Sequence, residues 1–111
     1  MEANEAEKKR WNDATWTEHW PKRERLTETV TPMLLAALQL KPGERVLDIG
    51  CGGGLTTLAA AKEIGNTGAA AGADISAPLL ALASRRAAEA GLIDGHALSL
   101  TLRNLGAFRR R

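Results

Sequence analysis

Two carboxylates and a run of glycines are the residues of this chain whose types and spacing suit chemistry. Asp48 precedes Gly50-Cys51-Gly52-Gly53-Gly54, and Asp74 closes the next aliphatic stretch. Glycines carry no Cβ, so a backbone rich in them can pass close beside a ligand. A helix starting after such a loop directs unpaired N–H groups at the ligand's anionic part. A carboxylate at the end of the next strand accepts hydrogen bonds from ribose hydroxyls. Gly50, Gly52 and Gly54 answer the first need, a helix from Leu55 the second and Asp74 the third. This order of strand, glycine loop, helix, strand and acid is the nucleotide-cofactor pattern of doubly wound α/β folds. The dinucleotide version needs glycine or alanine as its third small residue, five positions after its first. That place holds Leu55 when counted from Gly50 and Thr57 when counted from Gly52, so the pyrophosphate fingerprint fails in both registers. Asp48 would repel a pyrophosphate but attract an ammonium or sulfonium, which favours a zwitterionic ligand.

Several elements must position these residues. Lys41-Pro42-Gly43-Glu44 is a turn, and Arg45 to Ile49 is a short aliphatic segment of the kind expected of a buried parallel strand. The glycines end it, and Leu55 to Ile64 reads as a helix closed by Gly65. Ala69 to Asp74 has low β propensity, yet a strand there completes the β-loop-α-β unit and brings Asp74 to its carboxyl end. Ser76 caps a further helix to about Ala90, with Gly91 as its stop. Asp94-Gly95 turns the chain, and Leu98, Leu100 and Leu102 alternate as a third strand would. Upstream, Thr31 caps a helix with Pro32 at its first helical position and Leu34, Leu35 and Leu38 as its apolar stripe. Before it, Asn12 and Asp13 open a short helix that Pro21 interrupts. Trp16 and Trp20 share one face of it, which anchors it on the domain more readily than it stacks a substrate.

The 111 residues suffice for one small domain. Hydrophobic residues at 44% and charged ones at 25% are ordinary globular usage and argue against disorder. Fifteen basic against 13 acidic residues is too mild an excess to call for nucleic acid. No apolar run reaches the roughly 20 residues of a membrane span, and Met1 to Arg10 is charged where a signal peptide would be apolar. The lone Cys51 excludes an internal disulfide and fits a cytoplasmic location. It reads as a small filler between glycines. His19 and His96 lack metal-ligand spacing, so no metal site is expected.

Val46-Leu47-Asp48-Ile49-Gly50-Cys51-Gly52-Gly53-Gly54 resembles the first motif of class I S-adenosylmethionine-dependent methyltransferases, and Gly72-Ala73-Asp74-Ile75-Ser76 resembles their second-strand motif. Pro42-Gly43-Glu44 and Ala83 to Gly91 are similar to the branch with the ubiquinone and menaquinone methyltransferases. The resemblance covers about Trp11 to Leu92. It implies an α/β, Rossmann-like methyltransferase fold: the N-terminal cofactor-binding half of a doubly wound sheet, preceded by helices. It implies S-adenosyl-L-methionine as cofactor and methyl transfer to a small-molecule acceptor. Asp48 would hold the methionine ammonium directly or through water, and Gly50, Cys51, Gly52 and Gly54 would line methionine and ribose. Asp74 would take the two ribose hydroxyls, and Ile75 would lie against adenine. No catalytic residue is identified, since displacement at a sulfonium needs mainly positioning.

The organisation expected is a helical segment over 1–40, the cofactor-binding half over 41–92 and an atypical basic tail over 93–111. After Leu92 the family pattern of a third strand ending in an acid is not recognisable, which points to a truncated chain or a frame change near that residue. A truncated sheet would leave an edge open to self-association. Two alternatives stand beside the methyltransferase reading: a non-catalytic cofactor-binding fragment, and a NAD-binding oxidoreductase disfavoured by Leu55, Thr57 and Asp48.

Overall fold

The computed structural model describes residues 5–92 and 100–105. In chain order the elements are α1 (Glu5–Trp11), α2 (Thr15–Glu24), α3 (Val30–Leu38), β1 (Arg45–Ile49), α4 (Leu55–Ile64), β2 (Ala69–Asp74), α5 (Ala77–Glu89) and β3 (Leu100–Asn104). The three strands form one parallel sheet in the order β1-β2-β3. This is the Rossmann-like α/β arrangement that the glycine loop and its flanks imply.

β2 shows why context overrides propensity. Its sequence is Ala-Ala-Ala-Gly-Ala-Asp, yet it is central, with Ala71 opposite Leu47 on one side and Thr101 on the other. Small side chains let its neighbours come close. A Cβ on Gly72 would lie 3.0 Å from both Cys51 Sγ and Leu102 Cδ2, so Cys51 and Leu102 pack over bare backbone. Helices α4 and α5 cover one face of the sheet and bury Leu58, Ala61, Ile64 and Ala87 against Ala70 and Leu100. The opposite face holds Leu47 and Ile49, 64% and 72% exposed, beside Ala71, Thr101 and Arg103.

Helix α5 has the expected ends. Ser76 Oγ accepts the Leu79 N–H at 3.3 Å. At the other end the Gly91 N–H meets Ala88 O and the Leu92 N–H meets Ala87 O, with Gly91 at φ +72°, a Schellman motif that folds Leu92 back onto the core.

Three readings need correction. Thr31 does not cap α3: the helix begins at Val30 without a side-chain cap, and the Thr31 hydroxyl pairs with that of Thr56 at 3.1 Å. The α3 stripe is turned outward, with Leu34 and Leu38 exposed and Leu35 half-buried, because α3 touches the domain mainly at the start of α4. Pro21 does not interrupt the second helix but lies inside α2. Tertiary contacts hold α2 there: Glu24 grips Arg86 of α5 through two bonds of 2.8 Å, and the Thr17 hydroxyl donates to Pro78 O.

The segment read as a basic tail also contributes structure, since 100–104 pairs with β2 in parallel register and buries Leu100. The alternation of Leu100 and Leu102 is the strand signal. The Asp94-Gly95 turn, His96, Leu98 and the arginines at 109–111 lie outside the described residues.

Candidate cofactor site

The site begins with the end of β1. Gly50, Gly52 and Gly54 have φ of +77°, +54° and +84°, the left-handed region that glycine enters without steric cost. Gly50 N–H and Cys51 N–H both donate to Ala73 O, at 2.7 and 3.0 Å, so the loop is fastened to the end of β2. The Gly54 N–H then returns to Cys51 O, and Gly54 O accepts the Leu58 N–H as α4 starts.

Asp74 is the hinge of this arrangement. It is 8% exposed; Oδ2 accepts the Gly52 N–H and Oδ1 the Ser76 N–H, each at 2.8 Å. Each oxygen retains acceptor capacity beyond these single bonds. Asp74 lines a cavity of about 260 Å³ together with Gly50, Gly52, Ile75, Leu79, Trp11 and Trp20. Space is open at Gly50, where an added Cβ would meet nothing within 4 Å. Of the residues expected at the site, the fold thus brings Gly50, Gly52, Asp74 and Ile75 around one cavity.

The other three lie behind it. Gly54 faces helix α5: an added Cβ would stand 2.8 Å from Ala83 Cβ. Asp48 points to the helix-covered side of β1, where its Oδ2 accepts the hydroxyl of the fully buried Thr57 at 2.6 Å. The Cys51 side chain packs over Gly72. Burial, and then the negative charges of Asp74 and Asp48, push the Cys51 thiol up to about 11. It stays protonated at neutral pH, which removes it as a nucleophile.

Sequence reasoning missed how far the amino-terminal helices enter the site. Asn12 does not start α2; its Oδ1 accepts the Ala77 N–H at 3.0 Å, while its Nδ2 donates to Ile75 O at 2.9 Å. Asp13 takes the start of α2, accepting the Thr15 N–H and hydroxyl at 2.9 Å, and these bonds hold its carboxyl below the ordinary range. Trp11 and Trp16 stack with centroids 4.6 Å apart, and Trp20 stands edge-on to both. The Trp20 ring rests on Gly52 and Gly53. A Cβ at Gly52, whose bare backbone was expected to face a ligand, would meet Trp20 Cζ2 at 2.9 Å. The signal was present in the sequence as three tryptophans within ten residues, but periodicity cannot say which surface a helix face lands on.

A family model described as a methyltransferase domain matches residues 46–109. The chain belongs to the methyltransferase domain family. The match continues past Leu92, where the recognisable motifs end, and takes in β3. The methyltransferase domain is 37% identical over 81 residues to nocamycin O-methyltransferase of Saccharothrix syringae, covering 72% of this chain and 26% of that protein. It is 38% identical over 61 residues to the ubiquinone/menaquinone biosynthesis C-methyltransferase of Xanthomonas axonopodis pv. citri, covering 55% of this chain and 24% of that one. A crystal structure of an S-adenosylmethionine-dependent methyltransferase from Geobacter sulfurreducens in complex with S-adenosyl-L-homocysteine superposes with a TM-score of 0.55 at 35% identity, over 67% of this chain and 27% of that one. This methyltransferase domain therefore spans about a quarter of the length of these relatives. No helix among the described residues is long and apolar enough to cross a membrane.

Proposed function

We propose that this chain binds S-adenosyl-L-methionine over the glycine loop and serves methyl transfer to a small-molecule acceptor. The observation that carries the reading is the Asp74 carboxylate, fixed by two backbone amides at the wall of a cavity that Gly50 and Gly52 help to form. A carboxylate held this way can accept two more hydrogen bonds, which suits the adjacent hydroxyls of a ribose. Ile75 and Leu79 supply an apolar wall for adenine. Asp48 stands behind this cavity with Oδ2 engaged by Thr57, so its part in holding the methionine ammonium is through Oδ1 and a bridging water. The cofactor supplies a methyl group on a sulfonium, an activated leaving group. The residues of this chain bind and orient; Asp74 is the ionisable residue on the cavity wall, and it is committed to binding, so no base is assigned. The names of the relatives support a small-molecule acceptor. The lone cysteine supports a reducing compartment, the cytoplasm.

Calorimetry on the 111-residue chain tests this reading. S-adenosylhomocysteine is expected to bind and NAD to give no heat; binding of NAD alone, or of neither, would overturn it. A second reading, a cofactor-binding unit that transfers nothing by itself, is favoured by the uncovered sheet face at Leu47 and Ile49. A radiolabelled methyl assay with cell extract as acceptor separates the two readings.

The same face supports self-association. Leu47 and Ile49 lie exposed on β1, an edge strand of the three, and unpaired edges and apolar faces recruit partners. Sedimentation velocity should show mass rising with concentration. The double variant Leu47→Lys/Ile49→Lys should stay monomeric. A wild-type chain that remains monomeric throughout the concentration range would refute the idea.

A further inference from the structure

Among the described residues, Trp20 Nε1 is the buried side-chain polar atom without a hydrogen-bond partner. Its neighbours in the tryptophan cluster are satisfied: Trp16 Nε1 donates to Arg10 O at 2.7 Å and Trp11 Nε1 to Glu7 Oε2 at 3.0 Å. Trp20 alone brings its donor to the glycine loop. An added Cβ on Gly53 would stand 2.8 Å from Trp20 Nε1, and the same ring forms part of the wall that holds Asp74 and Ile75. A buried donor normally has an acceptor, so this one marks a place where an acceptor belongs.

We infer that Trp20 reads the amino-acid tail of the cofactor, its indole N–H donating to the tail's carboxylate. The inference rests on the cofactor reading above and deepens it. The Gly52 N–H is bonded to Asp74 Oδ2, so the glycine backbone adjoins the carboxylate that would hold the ribose, and the indole lies over that backbone at Gly52 and Gly53. The nearest cation does not compete for the carboxylate on equal terms. Arg86 Nη1 is bonded to Gly53 O at 3.0 Å and to Glu24 Oε2 at 2.8 Å, and its Nη2 to Glu24 Oε1, so its charge is already matched. A neutral donor suits a tail that carries both an ammonium and a carboxylate, because it satisfies one end without adding net charge. Two features bear on access. Nε1 is closed off from solvent, and the cavity of about 260 Å³ is below the roughly 300 Å³ at which ligand sites usually begin. The tail therefore reaches the donor as the ring lifts from Gly53.

The test compares two ligands that differ only at the tail: S-adenosylhomocysteine, and 5′-methylthioadenosine, which keeps the adenosine and thioether but has no amino acid. Trp20→Phe preserves an aromatic ring and removes the N–H. Calorimetry on the full chain should show S-adenosylhomocysteine binding weakened roughly tenfold or more by Trp20→Phe, with 5′-methylthioadenosine unchanged. Equal loss for both ligands would assign Trp20 to packing, and no loss for either would remove it from the site; both results overturn the inference while leaving the cofactor reading intact. Should the wild-type chain bind neither ligand, the cofactor reading itself fails and this one with it. A second measurement does not depend on the variant folding. In the wild-type sequence labelled with 5-fluorotryptophan, the Trp20 fluorine resonance should move further on adding S-adenosylhomocysteine than with 5′-methylthioadenosine, whose adenosine fills the same cavity but brings no carboxylate to the indole. A resonance that ignores both, or follows both alike, would overturn the assignment.

Discussion

Replacing Asp74 with alanine is expected to weaken S-adenosylhomocysteine by roughly ten- to a hundredfold, from the loss of charge-assisted bonds worth about 1.5 to 3 kcal/mol. Ligand affinity is only part of the effect. Oδ1 and Oδ2 satisfy the Ser76 and Gly52 amides in a site that is 8% exposed, so alanine also strands two backbone donors, at about 1 to 3 kcal/mol each. A drop in the urea midpoint should therefore accompany the loss of binding. Asp74→Asn separates the two effects. Its amide oxygen still accepts one of the two N–H groups, so much of the stability should return, while the amide nitrogen can no longer accept a ribose hydroxyl. Calorimetry paired with urea titration reads both quantities. Unchanged affinity in either variant, in protein shown to be folded, would remove Asp74 from the binding site and leave it as a clamp between loop and helix.

Gly54→Val is expected to cost much of the stability of the fold. Gly54 sits at φ +84°, where a side chain carries a penalty of about 1 to 2 kcal/mol. Its Cβ would stand 2.8 Å from Ala83 Cβ and 3.2 Å from Leu58 Cδ1, and forcing bulk into a packed site costs about 1 to 3 kcal/mol more. Ala83 is fully buried on α5 and cannot yield without moving that helix off the sheet. Against a typical total of about 5 to 15 kcal/mol, and nearer the lower end for a small domain, a combined loss of about 2 to 5 kcal/mol should remove a large part of the stability and move the denaturant midpoint far down, with unfolded chain populated at 25 °C as the loss approaches the total. Circular dichroism and denaturant titration would show it. Gly50→Ala is the control: its φ is also positive at +77°, but the space around it is open, so it bears the backbone strain alone and should remain folded. Equal stability of the two variants would mean that the approach of loop and α5 is looser than the structure has it.

Residue type and spacing are enough, without coordinates, to recognise the strand, the glycine loop, α4, β2 and α5. All but β2 are set by local chemistry: glycines that break a strand, a serine that caps and a glycine that ends a helix; β2 is legible only from its context, a carboxylate at the right remove from the loop. The family follows from the same residues. Which of them share a cavity does not. Gly50, Gly52, Asp74 and Ile75 line it, while Asp48 turns to Thr57, Cys51 to Gly72 and Gly54 to Ala83. Those directions depend on strand register and on helices that arrive from distant parts of the chain. The amino-terminal helices make the point most clearly. Asn12 meets Ile75 and Ala77, and Glu24 meets Arg86, across more than sixty residues of chain. Local periodicity places Trp16 and Trp20 on one helical face, and Pro21 at a position where a helix should break. Only tertiary packing could carry α2 through that proline and lay Trp20 on the glycine loop, because the contacts responsible have no local signature. Beyond Leu92 the alternation of Leu100 and Leu102 marks a strand, and pairing with β2 sets its place and register in the sheet.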